Sequence, residues 1–305
     1  MRFYCGVNET KWNHHPVAPG QYACIAPVYG ASERTHKENS VSVPADCLVI
    51  QDSGAFGDGP RLRLTPRLAL ERQLKHAAKY RYFDQIEAIA SYDLLIDEKW
   101  QDGQRHKARW SVSEAQDAIT QTVDAARFLV DHAYLVPDWW QFILSVQGVD
   151  ADQYLDCARQ IAPFFRDGDI LGLGGWCIIG KMPSVMMPVF RETIIKVIPF
   201  AAQFTKRVHV WGVLYSPAIG ELLWMCDQYG LELSTDSSGP QVRPCRGDWG
   251  YSGWRDNSYQ RPPTETRGIE RARHVAAVRE WLANFRQTKF YREPQMKGNQ
   301  LCFTF

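Results

Sequence analysis

Short apolar segments recur along the first 240 residues, and segments with helical periodicity separate most of the later ones. Such short apolar runs, bounded by polar or glycine positions, are typical of buried strands. Eight strands are predicted, over residues 2–6, 22–27, 48–51, 86–91, 141–146, 170–174, 208–213 and 231–235. Helices are predicted to begin at Pro66 and at Ser113, and to span about 151–162, 183–199 and 217–229.

Strands that alternate with helices predict an α/β fold with parallel pairing. Eight strands in about 240 residues favour a (β/α)8 TIM barrel over an open doubly wound sheet. The first three connections show little helical pattern, so the early half of the barrel is predicted from its strands alone. Residues 1–240 are assigned to this barrel.

The sequence changes in character after Asp236. Glycine and proline interrupt it repeatedly, and tryptophan and tyrosine lie among them. This density of aromatic residues indicates a long ordered loop rather than a disordered linker. A final helix is predicted over about 266–287. Residues 241–305 are therefore assigned to a C-terminal loop and closing helix that pack on the barrel.

The formal net charge of +1 conceals an uneven distribution. Residues 1–239 hold 23 basic and 28 acidic side chains, whereas residues 240–305 hold 12 and 6. A basic end on an acidic body indicates an anionic partner, and a solvated basic surface without a partner is the alternative. The candidate nucleic-acid-binding residues are Arg243, Arg246, Trp249, Trp254, Arg255 and Arg261. Arginines neutralise phosphates and aromatic rings stack on unpaired bases, although the tryptophans equally suit packing of the loop on the barrel.

Composition excludes several classes of protein. No apolar stretch reaches the 18 or more residues of a membrane helix, and the first residues lack the apolar core of a signal peptide. The 8 cysteines are scattered without a CxxC pair, which argues against a disulfide framework and against a thiolate zinc site. A cytoplasmic protein, without a metal or a cofactor, is therefore expected.

Polar residues and glycines follow several of the predicted strands. In a (β/α)8 barrel the carboxyl ends of the strands meet at one mouth, where the chemistry collects. The residues at these positions are Asp52, Ser53, Gly54, Asp93, Gln147, Gly148, Gly174, Gly175 and Asp236. A single Asp in such a place is as well explained by an ordinary turn. Three carboxylates with a carboxamide between them indicate a binding or catalytic site.

This set of groups matches the edge of a purine better than a sugar or a phosphate. Guanine offers N1–H and an exocyclic amine, which a carboxylate accepts as a pair, and its O6 takes a bond from a carboxamide or a glycine N–H. The two remaining acids suit glycosyl exchange, in which one carboxylate stabilises or attacks the anomeric carbon and the other moves a proton.

Three short motifs on these strand ends resemble those of the tRNA-guanine transglycosylase (queuine tRNA-ribosyltransferase) superfamily. The stretch Asp52-Ser53-Gly54-Ala55-Phe56 is similar to its D-S-G-G-[FY] motif, residues 146–148 to its V-Q-G, and residues 172–175 to its G-G strand end. Asp236 stands where that superfamily carries a nucleophilic aspartate. The resemblance runs in order over about residues 48–240.

The resemblance implies a role for each matched residue. Asp236 would attack C1′ of the target nucleoside and form a covalent glycosyl–enzyme intermediate. Asp52 would handle the proton of the base. The base itself would be held by Ser53, Gly54, Phe56, Asp93, Gln147, Gly148, Gly174 and Gly175, with Phe56 stacking near the ring.

Departures from the superfamily direct the prediction towards one branch of it. The tRNA enzymes carry a C-x-C-x-x-C…H zinc site after the nucleophile, whereas Cys245 stands alone here. The sequence also has Ala55 and Gly57 where the motif carries glycine and glutamine, and it is short for that branch. It looks like the branch that inserts 7-deazaguanine derivatives, such as 7-cyano-7-deazaguanine, into DNA in phages and bacteria.

The expected activity is therefore that of a pentosyltransferase that exchanges guanine in DNA for a free 7-deazaguanine base. The same exchange on tRNA, a barrel that binds nucleic acid without chemistry, and a glycoside hydrolase are the alternatives. Single- and double-stranded DNA both remain open as substrates, as do a homodimer and a partner ATPase. The expected location is the cytoplasm of a bacterium or of a phage-infected host.

Overall fold

The computed structural model describes residues 1–7, 21–27, 43–55, 64–94, 96, 99–101, 104–106, 110–239 and 267–295. At 99–101, 104–106 and 267–271 only the backbone is described. Phe56 and the six nucleic-acid-binding candidates, Arg243, Arg246, Trp249, Trp254, Arg255 and Arg261, lie outside the described residues. No helix among the described residues is long and apolar enough to cross a membrane.

Eight parallel strands form a closed barrel, which confirms the predicted (β/α)8 fold. The barrel strands are β1 (Arg2–Val7), β2 (Tyr22–Ile25), β3 (Leu48–Gln51), β4 (Ile86–Ala90), β7 (Gln141–Val146), β8 (Ile170–Leu173), β9 (Arg207–Val210) and β10 (Glu232–Ser237). Each of these strands pairs with the next barrel strand along the chain, so that β4 pairs with β7, and β10 closes the barrel on β1. Two short strands, β5 (Lys99–Gln101) and β6 (Gln104–His106), form a separate antiparallel pair that the sequence did not predict.

Helices cover the outer face of the barrel. They are α1 (Pro66–Lys79), α2 (Val112–Asp131), α3 (Ala151–Ile161), α4 (Pro183–Ala201), α5 (Ser216–Gln228) and α6 (Arg267–Ala283). Their starts follow from local chemistry, because Thr65 and Asp150 cap α1 and α3 and Ser111 forms a capping box with Glu114 at α2. Helix α2 therefore begins at Val112, one residue before the predicted start at Ser113.

The last helix packs against the outside of β1. Val275, Val278 and Leu282 are buried in the apolar layer between strands and helices. The Arg279 side chain donates a hydrogen bond to the Tyr22 carbonyl, 3.1 Å away. This part of the C-terminal region thus occupies the position that a helix following β10 takes in a (β/α)8 barrel.

Charged residues fill the amino-terminal end of the barrel interior. A register shift between β3 and β4 introduces Glu87, which accepts a hydrogen bond from the Tyr4 hydroxyl. The Glu87 carboxylate also lies 3.4 Å from the Arg2 guanidinium and 3.6 Å from that of Arg207, which donates to Gln141. These groups pair with one another and close this end of the barrel.

Candidate active site

The predicted polar residues of the strand ends meet at the carboxyl-terminal mouth of the barrel. Asp52 directly follows β3, Asp93 follows β4, and Gln147 follows β7. Asp236 lies near the end of β10. Beneath them, a layer of mainly apolar side chains fills the middle of the barrel: Tyr4, Cys24, Ile50, Ala88, Ala90, Ile143 and Ile170.

The turn after β3 is held in place by helix α1. Gly54 adopts a left-handed conformation with φ of 81°, which glycine adopts without steric cost. The Arg72 guanidinium donates to the Ser53 carbonyl, and the Gln73 carboxamide donates to the carbonyls of Asp52 and Ala90 at 3.1 and 3.0 Å. Helix α1 thereby fixes the direction in which the Asp52 and Ser53 side chains project.

Replacing Gly54 with alanine is expected to destabilise the protein. A Cβ on Gly54 would lie 2.7 Å from both the Arg72 guanidinium and the Pro27 carbonyl oxygen, in addition to the left-handed strain. We expect a loss of about 2–4 kcal/mol in the free energy of unfolding, measured by urea denaturation.

Gly230→Ala is the matched control, since Gly230 has φ of 66° but, apart from its chain neighbours, no atom of a described residue within 4 Å of its Cβ position. It should lose only the strain, about 1 kcal/mol. Equal losses in the two variants would contradict the proposed clamping of the Asp52 turn by α1.

Asp93 lies at the centre of a hydrogen-bonded group. Its Oδ1 accepts from the Ser53 hydroxyl at 3.1 Å, and its Oδ2 accepts from the Gln147 carboxamide. Burial raises the pKa of Asp93 to about 6, although the bonds from Ser53 and Gln147 act in the opposite direction. The side-chain carboxamide oxygen of Gln147 is buried and has no hydrogen-bond partner among the described residues.

Asp52 lies close enough to the other two acids to respond to their charges. Burial, together with the charges of Asp236 and Asp93, raises the pKa of Asp52 to about 7. The Gly54 N–H, 3.3 Å from Asp52 Oδ1, partly offsets this shift. A carboxyl group with a pKa near neutrality is suited to both donate and accept a proton at the pH of a cell.

Two nitrogens of the described residues bond one oxygen of Asp236. Its Oδ1 accepts from the Gly212 N–H at 2.7 Å and lies 3.3 Å from Nε2 of His209. Its side chain retains 15% exposure, so it faces the mouth. The buried Cys24 thiol lies beneath the acids. Burial raises the pKa of this thiol, and the charges of Asp236 and Asp52 and a hydrogen bond with Asp236 act in the same direction.

Glycines allow the Gln147 side chain to cross the mouth. A Cβ on Gly174 would lie 2.7 Å from the Gln147 amide nitrogen, and Gly175 has φ of 80°. The Gly174 N–H donates to the Val146 carbonyl at 3.1 Å and its carbonyl accepts from the Tyr154 hydroxyl at 2.7 Å. Both backbone polar groups of Gly174 are thus bonded within the barrel. Gly148 packs against the start of α3.

Two aromatic residues, His209 in β9 and Trp211 directly after it, belong to the site but were not predicted from the sequence. His209 is fully buried beside Asp236, and Trp211 donates from its indole nitrogen to the Ser145 hydroxyl at 3.2 Å. The alternation Arg-Val-His-Val-Trp over residues 207–211 was the available signal. Every second residue of a barrel strand points inward, so this pattern places three polar or aromatic side chains inside the barrel.

Comparisons with known proteins identify neither a family nor a reaction for this chain. No protein-family model and no curated protein sequence matches the chain. Among the solved structures that match is a protein from Coccidioides immitis that is assigned as a fructose-1,6-biphosphate aldolase. It is 12% identical, with 93% of this chain and 90% of its own covered and a TM-score of 0.43. This similarity is too distant to indicate a substrate or a reaction.

The described part of the mouth offers carboxylates but no cluster typical of a metal site. Among the described residues, no group of three or more His, Cys, Asp or Glu side chains is arranged to hold a metal ion. The chemistry available from the described side chains is acid–base and nucleophilic, with Asp52, Asp93 and Asp236 as the reactive groups.

Proposed function

We propose that this protein is a transglycosylase that exchanges guanine in DNA for a free 7-deazaguanine base. The observation that carries the proposal is the convergence of Asp52, Asp93 and Asp236 on one barrel mouth, close enough for two of the charges to raise the pKa of the third. The resemblance of the motifs around Asp52 and Gln147 to the tRNA-guanine transglycosylase superfamily supports the choice of reaction.

In the proposed first half-reaction, Asp236 attacks C1′ of the target deoxyguanosine. The C1′–N9 bond breaks as the bond from C1′ to the Asp236 carboxylate forms, and the electron pair leaves with N9. Asp52, with its pKa of about 7, supplies the proton that the departing guanine takes up. The product is a covalent deoxyribosyl ester on Asp236 and a free guanine.

The second half-reaction reverses these steps with a different base. Asp52, now ionised, removes the N9 proton of the incoming 7-deazaguanine, whose N9 attacks C1′ and displaces the Asp236 carboxylate. The proton gained in one half-reaction is balanced by the proton lost in the other, and no redox change occurs. The exchange therefore needs no nucleotide cofactor for its chemistry.

Asp93 and Gln147 are proposed to recognise the base. The Asp93 carboxylate supplies acceptors for N1–H and the exocyclic amine of a guanine-like ring. The Gln147 amide, which donates to Asp93 in the free protein, is then released to donate to O6. A 7-deazapurine presents the same edge, so one pocket accepts both the leaving and the entering base.

The nucleic acid is proposed to bind around the mouth through the basic C-terminal segment. Its candidate contacts lie among residues 243–261, where arginines suit phosphates and tryptophans suit unpaired bases. A base in a duplex must leave the stack to reach the barrel mouth, at a cost of a few kcal/mol. Single-stranded or locally opened DNA should therefore react faster than a stable duplex.

An exchange assay with labelled guanine tests the proposal. The protein is incubated with radiolabelled guanine and either a guanine-containing DNA or a tRNA, and acid-precipitable label is counted. Label in DNA is expected. Label in tRNA alone would show that the DNA assignment is wrong, and binding of both polymers without label in either would indicate a non-catalytic barrel.

Replacing Asp93 with Asn is expected to impair base recognition more than glycosyl transfer. The carboxamide offers one acceptor where the base requires two, so KM for the free base should rise by about 10- to 100-fold. Ser53→Ala, which removes one hydrogen bond to Asp93, should raise KM only a few-fold. Steady-state exchange kinetics at varied base concentration measure both, and an unchanged KM in Asp93→Asn would contradict this role.

A further inference from the structure

His209 lies between two residues of the neighbouring strand. It pairs in register with Ser234 of β10, and its ring is fully buried in the barrel interior. Nδ1 of the imidazole lies 3.0 Å from the Ser234 hydroxyl, and Nε2 lies 3.3 Å from Asp236 Oδ1. The histidine thus connects the proposed nucleophile to a hydroxyl deeper in the barrel.

The hydrogen-bond partners define how the imidazole is used. A carboxylate accepts hydrogen bonds only, so Nε2 must carry a proton to bond an ionised Asp236. The Ser234 hydroxyl at Nδ1 also lies 3.2 Å from the Val208 carbonyl oxygen, to which it donates, so its oxygen remains available to the imidazole. Nε2 is therefore the ring nitrogen that donates to Asp236.

Aromatic contacts hold the imidazole plane from two sides. The Trp211 ring lies edge-on to His209 with ring centroids 4.3 Å apart, and the Tyr4 ring does so at 5.9 Å. A ring packed in this way and bonded at both nitrogens has little freedom to rotate. Its N–H is thus a fixed donor rather than one that adapts to the carboxylate.

Two nitrogen donors of the described residues reach the same oxygen of Asp236. The Gly212 N–H and the His209 imidazole both bond Oδ1, and neither of these two groups bonds Oδ2. From this geometry we infer that His209 is a positioning residue for the proposed exchange: with the Gly212 N–H it retains Oδ1, so that Asp236 attacks C1′ with Oδ2. This inference rests on the proposed function. It adds a residue and an atom to the proposed mechanism.

Two donors at fixed angles restrict the carboxylate more than one does. With the Gly212 N–H alone, rotation about the Cβ–Cγ bond interchanges the oxygens at little cost. With His209 as well, the orientation that points Oδ2 at the mouth is favoured. Misplacement of a reacting atom by about 1 Å costs on the order of 100-fold in rate, so loss of His209 should lower kcat.

Two variants separate positioning from simple filling of the barrel. His209→Asn keeps a polar group near Nδ1 that bonds Ser234 but does not extend to Asp236, whereas His209→Gln places its amide near Nε2. We expect kcat for labelled guanine exchange to fall about 10- to 100-fold in His209→Asn and to recover to within about 5-fold of the native value in His209→Gln. KM for the base and the melting temperature should be similar in the two variants.

The outcomes are decisive and distinct. A native kcat in His209→Asn would overturn the positioning role. Equal losses of kcat in His209→Asn and His209→Gln would overturn it as well, because a purely structural role of the histidine would affect the two variants equally. An absence of exchange in the native protein would instead refute the proposed function, and the inference with it. A native protein that exchanges the base, together with a His209→Asn variant of native kcat, refutes the inference alone.

Discussion

Replacing Asp236 with Asn is expected to lower the rate of base exchange by at least about 1,000-fold. The carboxamide has nearly the same shape as the carboxylate, and its oxygen can still accept the Gly212 N–H that now bonds Oδ1. It is a much weaker nucleophile, so the bond to C1′ does not form. Incorporation of labelled guanine into DNA measures the loss.

DNA binding and folding provide the controls for Asp236→Asn. Because the substitution adds no bulk at the mouth, the affinity for DNA and the melting temperature should stay close to those of the native protein. Exchange at a native rate in a folded variant would exclude Asp236 as the nucleophile. A variant that has lost DNA binding would instead place the defect in substrate association.

Replacing Asp52 with Asn is expected to have the second largest effect on exchange, with a loss of about 100- to 10,000-fold. The carboxamide neither delivers a proton to the departing guanine nor removes one from the incoming base. The native protein should lose activity on both sides of neutral pH, since Asp52 must be protonated in one half-reaction and ionised in the other. A pH profile of kcat that peaks near the Asp52 pKa of about 7 is expected.

The same substitution should stabilise the protein at alkaline pH. The pKa of Asp52 is about 7 in the fold and 3.8 in the reference state, so the folded protein holds a proton that the unfolded chain releases between these values. Its favourable contribution is complete below pH 4 and is lost as the pH rises through 7. The Asn side chain does not titrate, so it makes no such pH-dependent contribution to stability. The free energy of unfolding of the variant should exceed that of the native protein by about 1–3 kcal/mol at pH 8 and by little at pH 4.

Thermal or urea denaturation of Asp52→Asn at both pH values measures this gain. Asp46→Asn is the matched control, because Asp46 is an exposed acid just before the other end of the same strand. It should change the stability by less than about 0.5 kcal/mol at either pH. A loss of stability in Asp52→Asn at pH 8 would show that the Asp52 carboxylate supports the fold and is not a strained functional group.

The fold was predictable because most barrel strands are short apolar runs in the sequence. The strands over residues 48–51 and 141–146 have the predicted bounds, since a polar residue, Asp52 or Gln147, directly follows each of them. The predicted 208–213 strand is shorter, ending at Val210, because Gly212 turns the chain with φ of 69°. The β5–β6 pair was missed because each strand has three residues and no apolar pattern.

The acids of the site were predictable because each stands at or next to the end of an apolar run, where the barrel mouth lies. The residues that hold these acids or their turns in place were not predictable from the sequence. Arg72 and Gln73 belong to a helix that appears amphipathic in sequence, yet both are buried against the turn after β3. His209 lies inside a strand, and its contact with Asp236 depends on the register between β9 and β10. Such contacts arise from tertiary packing, which no local pattern encodes.

Covalent attachment of the DNA to the protein tests the central claim most directly. The protein is incubated with a guanine-containing oligonucleotide without added base, denatured, digested and sequenced by mass spectrometry. A deoxyribosyl adduct on Asp236, absent in Asp236→Asn and lost when a 7-deazaguanine is added before denaturation, is expected. An adduct on Asp52 or Asp93, or exchange that proceeds without any adduct, would contradict the account.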